Sequence, residues 1–199
     1  MKDFTRPRGR LRSLPLPARV VYSVFLVFTL AALGVTLWLG ADMVGPGLSG
    51  LREYYAGITP DAASAHAPAA AGKPGAGPAL ELPADIDAPP PPEPMPVRKL
   101  LEVTHFHLFS MPVYLLILSH LFMLGRASDA TKLTWITLGT LGTAGHVVAP
   151  WIARAASPGS TALYALSGSA MLASMLVMTV WPLYEMWAPA PGGPGAGSE

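Results

Sequence analysis

The 199-residue sequence contains no cysteine, which excludes disulfides, thiolate metal sites, a lipoprotein attachment residue and a covalent c-type haem. Charge is scarce too. Asp, Glu, Lys and Arg make up 13% of the chain, against about 25% in soluble domains. Thirteen basic residues against twelve acidic ones leave a net charge of +1, so no basic surface is available to hold a nucleic-acid backbone. No Ser, His and Asp set falls in plausible proximity for side-chain catalysis. The glycines from Gly139 to Gly145 have no following Lys and make no phosphate loop. Hydrolase, kinase and nucleic-acid-binding readings are thereby set aside. What remains is apolar: 51% of the residues are hydrophobic and the mean hydropathy is +0.42. That balance predicts an integral membrane protein with the lipid bilayer as its first partner.

A bilayer core about 30 Å thick needs roughly 20 apolar helical residues. Four stretches meet that length, at 20–39, 101–125, 133–153 and 161–185, and each must be helical because lipid offers backbone amides no other partner. The predicted fold is therefore all-α, an integral membrane four-helix bundle. The first stretch is longer than the apolar core of a signal peptide, and Trp38-Leu39-Gly40-Ala41-Asp42 is a poor cleavage sequence, so it reads as a retained anchor. Residues 1–19 carry six basic side chains, and the loop from Arg126 to Lys132 carries two more on the same side. By the positive-inside rule both termini are expected in the cytoplasm, with the protein multi-pass in the cell inner membrane. Arg98 and Lys99, just outside the second span, oppose this bias without reversing it.

Residues 40–100 form the expected extracytoplasmic loop. Its first part, Leu51-Arg52-Glu53-Tyr54-Tyr55-Ala56, suits a short turn or helix lying in the headgroup layer. From Pro60 to Pro96 it holds eleven prolines among Ala and Gly, a composition that cannot bury enough apolar surface to order itself. His66 in this segment is expected simply to titrate in solvent. Residues 186–199 read as a disordered tail.

Ionisable side chains inside a membrane require a reason, since hydrocarbon penalises them. Here the informative ones are His105, His107 and His120 in the second span, His146 in the third, and Glu102 at the outer boundary. Counting about 1.5 Å per residue, His105 and His107 lie roughly 5–8 Å inside that boundary and His146 roughly 8–11 Å, so these imidazoles are level. His120 is about 20 Å deeper than His107 and belongs elsewhere. At about 100° per residue, His105 and His107 diverge by roughly 200° and cannot both aim at one neighbour. Gly139 and Gly142 share a face with His146, where small side chains admit a helix or a flat ring. Pro112 is expected to kink the second span near Leu108.

Three chemistries compete for this cluster. The first is a non-covalent haem b held by two neutral imidazoles, His146 with His107 or His105, passing electrons between the quinone pool and a membrane or extracytoplasmic redox partner. A four-span bundle with histidines on adjacent helices resembles the membrane-embedded four-helix b-type cytochromes. The thirteen-residue interval from His107 to His120 resembles the ligand spacing those proteins use for two stacked haems. The resemblance covers the second and third spans. It departs from the two-haem pattern because the third span has no histidine level with His120, so a second haem would need a non-His ligand or a partner subunit. The second chemistry is a metal ion on His105, His107, His146 and Glu102; Glu102-x-x-His105 has the spacing of di-metal bundles, but those use the motif twice. In the third, the histidines serve packing in a non-enzymatic membrane subunit or assembly factor. All three describe an electron-transfer or accessory subunit rather than a stand-alone enzyme.

Overall fold

A computed structural model describes residues 11–44, 47–57, 93–155 and 160–189. The segments expected to be a basic N-terminus, a proline-rich loop and a C-terminal tail fall largely outside these residues, as does His66. Among the described residues the protein is all-helical, with five helices and no strand: α1 (Leu16–Val44), α2 (Gly47–Ala56), α3 (Val97–Met123), α4 (Asp129–Arg154) and α5 (Ser160–Trp187).

Three of these, α1 over Leu16–Asp42, α3 and α5, are long and apolar enough to cross a membrane. Helix α4 matches them in length, at 26 residues, but its interior is diluted by threonine and glycine and falls short of the same apolarity. Large side chains such as Phe28, Trp38, Phe106, Phe109, Leu116 and Leu166 stand exposed on the long helices. So many exposed large apolar side chains are unusual on proteins surrounded by water and ordinary in lipid.

Local chemistry sets the helix limits. Ser128 caps α4, its hydroxyl accepting from the Thr131 N–H at 3.1 Å. The buried Lys132 reaches back to the free carbonyl of Met123 at 2.8 Å, closing the end of α3. Internal prolines Pro112, Pro150 and Pro182 sit within α3, α4 and α5 without ending them.

The most extensive contact joins α4 to α5. It depends on glycine. A Cβ on Gly142 would lie 2.6 Å from the Met171 backbone nitrogen, and one on Gly145 would lie 2.8 Å from the Ser167 Cβ. One buried cluster, around Leu26, Leu118, Phe122 and Met178, fills the middle and one end of the helices. A second, of Leu51, Tyr55, Met95, Leu100 and Ala153, fills the other end. Helix α2 contributes to that second cluster. It packs over that end of the long helices, where Tyr55 buries its ring and still finds a partner for its hydroxyl.

Candidate functional site

His107 and His146 face each other across the α3–α4 boundary, with ring centroids 6.1 Å apart and planes tilted by 50°. The local backbone fixes one of the rings. His107 Nδ1 lies 2.7 Å from the Val103 carbonyl one turn earlier, so it carries the proton and donates, leaving Nε2 with a free lone pair. His146 is half-buried, and its Nδ1 is buried with no hydrogen-bond partner among the described residues. Its ring packs on Tyr164 of α5 at 4.7 Å and against Gly168, where a Cβ would come within 3.3 Å of Nδ1.

Two contacts hold the helices in this register. Trp151 Nε1 on α4 donates to Thr104 Oγ1 on α3 at 2.9 Å, one turn from each histidine or little more. Arg154 Nε donates to the Met95 carbonyl at 2.8 Å. From α2, the Tyr55 hydroxyl donates to that of Tyr164 over a long 3.4 Å, and Tyr54 meets Tyr55 edge-on at 5.0 Å. Burial, with Tyr164 adding to it, pushes the Tyr55 phenol above its ordinary value, so it remains a neutral donor.

The histidine pair forms part of the wall of a cavity of about 480 Å3 to which α1, α2 and α5 also contribute, through residues such as Leu37, Tyr54, Tyr55, Tyr164 and Gly168. That volume lies within the range of cofactor and small-molecule sites. A much smaller cavity of about 50 Å3 shares the two histidines, Tyr55 and Tyr164.

The other sequence-predicted positions lie apart. His105 is exposed and packs outward on Phe109 at 4.9 Å. Glu102 pairs with Arg98 at 3.5 Å and Lys99 at 3.9 Å on the surface. His120 is exposed in the last turn of α3. Among the described residues no three His, Asp or Glu side chains gather as a metal site would require. The glycine face expected to make room beside His146 is instead filled: Gly139 meets Ser174 and Met178, and Gly142 meets Met171, all from α5. Close helix packing takes the space a flat ring would have used there, and the cavity beside His146 is bounded by other residues, Leu37, Tyr55 and Gly168 among them. Sequence reasoning missed Tyr164 and gave Tyr55 only a surface role. Counting residues from the outer ends of α4 and α5 places Tyr164 near the level of His146, which is the signal that finds it.

The fold and its lipid-type surface define an integral membrane protein. The chain belongs to the Aq_1264_TM family, a transmembrane helical domain whose family model matches residues 46–192, from just before α2 to beyond α5. No curated protein and no solved structure matches the chain.

Proposed function

We propose that the protein is a membrane subunit that holds one haem b between His107 and His146 and exchanges electrons with the quinone pool. The observation that carries this reading is the spacing and chemistry of the pair. Ring centroids 6.1 Å apart would let both imidazoles reach one metal atom held between them. His107 is already in the tautomer a ligand needs, its Nδ1 proton engaged by a backbone carbonyl that fixes the ring's orientation, as is usual for a ligating imidazole. The orphaned Nδ1 of His146 leaves that ring without a competing partner. A pair with no third protein ligand suits a metal that brings its other ligands with it, and a porphyrin does so. When bound, haem supplies a one-electron carrier; the chain's residues position it and exclude water from it.

In the same reading α4 also crosses the bilayer, giving four spans, with Arg12, Arg19, Arg126 and Lys132 at the cytoplasmic end of an inner membrane. A second reading is favoured by the packing of His146 on Tyr164: the pair joins α3, α4 and α5 in a non-enzymatic subunit. A reduced-minus-oxidised visible spectrum of protein produced with ample haem separates the two. The haem reading expects Soret and α-band changes that are lost in His107→Ala and His146→Ala and kept in His120→Ala.

A further inference from the structure

At the end of the helices away from the histidine pair lies a further cavity, of about 580 Å3, on an exposed side of α5. Its polar lining is Arg12 from before α1, Arg126 from the α3–α4 turn and Glu185 from the last turns of α5. Glu185 is only 4% exposed. Its Oε2 accepts from the Arg126 backbone N–H at 2.9 Å, and Gly125 is needed beside it, since a Cβ there would lie 2.9 Å from that oxygen. Its other oxygen, Oε1, is buried with no hydrogen-bond partner among the described residues, and so is Arg12 Nε. A buried acceptor and a buried donor left unmet in one cavity are a large penalty unless something bonds to both. Apart from the Tyr184 phenol the remaining wall is largely apolar, and Leu176, Val180 and Trp181 on it are between 42% and 45% exposed.

We infer that this cavity binds an aminophospholipid, a lipid whose headgroup joins a phosphodiester to a primary ammonium. The phosphate meets the guanidinium of Arg12 with Arg126 beside it, the ammonium donates to Glu185 Oε1, and the acyl chains run along Leu176, Val177 and Val180. Charge complementarity selects this occupant. A net-anionic headgroup without an ammonium leaves the carboxylate facing phosphate, and a trimethylated one has no N–H to donate. The inference rests on membrane insertion alone and is independent of haem.

Trp181 on the wall provides the readout. The full chain is placed in phosphatidylcholine vesicles with rising fractions of phosphatidylethanolamine carrying brominated acyl chains, and the Trp181 signal is isolated by difference from Trp181→Phe. Quenching is expected to reach half its maximum at a mole fraction about tenfold lower for phosphatidylethanolamine than for brominated phosphatidylcholine or phosphatidylglycerol, the scale of one charge-assisted hydrogen bond. Glu185→Gln keeps a carbonyl for the Arg126 N–H and loses the anionic oxygen, and it should remove that preference. Equal quenching by the three lipids, a preference for phosphatidylglycerol, or an unchanged preference in a helical Glu185→Gln would overturn the inference. If that variant loses its helical circular dichroism, the headgroup comparison on the unaltered chain still decides.

Discussion

Gly142 of α4 and the backbone of Met171 in α5 are in such close contact that a single methyl group would not fit between them: its carbon would lie 2.6 Å from the Met171 nitrogen and 3.0 Å from its Cα. Both opposing atoms are backbone and cannot rotate away. Gly142→Ala is therefore expected to destabilise the fold by about 1–3 kcal/mol, the range for overpacking. Gly34→Ala, where nothing lies within 4 Å, should be neutral or slightly stabilising. Unfolding in mixed micelles followed by circular dichroism measures both.

Thr104 gives the Trp151 indole its acceptor at the level of the histidines. Thr104→Val keeps the shape and leaves the indole N–H without a partner, which should cost about 1–3 kcal/mol. Thr104→Ser should retain most of the stability. Equal unfolding midpoints for the Val and Ser variants would show that this bond does not hold α3 against α4.

The buried Tyr55 phenol makes stability depend on pH in a stated direction. Its folded pKa is raised above the ordinary 10.0 by burial first and Tyr164 second, so the native state holds the proton more tightly than the unfolded chain. Stability should then be intact below about pH 10 and fall as pH rises further. Tyr55→Phe should flatten that fall while lowering stability modestly at neutral pH through the lost hydroxyl contact. A parallel decline in both proteins would assign the effect to other groups.

The lack of cysteine in the chain makes single-cysteine labelling a clean test of topology. With α3 and α4 both spanning, Glu93→Cys and Ala155→Cys should react with an impermeant maleimide from one side of sealed vesicles and Ala130→Cys from the other. Labelling of position 155 together with 130 would mean that α4 does not cross.

Much of the helical framework was legible because lipid removes alternatives: an apolar run of the right length has to be a helix. The divergence of His105 from His107 was equally legible, since two residues turn a helix by roughly 200° whatever surrounds it. Partner choice was not. Gly139 and Gly142 advertise close approach without saying of what, and only the placement of α5 shows that Met171, Ser174 and Met178 come up against them. Tyr55 and Tyr164 are 109 residues apart in the chain, and no periodicity links them. The apolarity of α4 is lower than that of α1, α3 and α5 because threonines and the glycines it offers to α5 take the place of larger apolar side chains, so composition alone divides it from the other three.

The central claim, a haem b between His107 and His146, is tested most directly by the reduced-minus-oxidised spectrum of the purified full chain alongside its His146→Ala variant. The account expects a Soret shift and an α-band in the unaltered protein and neither in the variant. A featureless difference spectrum from haem-replete, folded protein, or a band that survives His146→Ala undiminished, would contradict it.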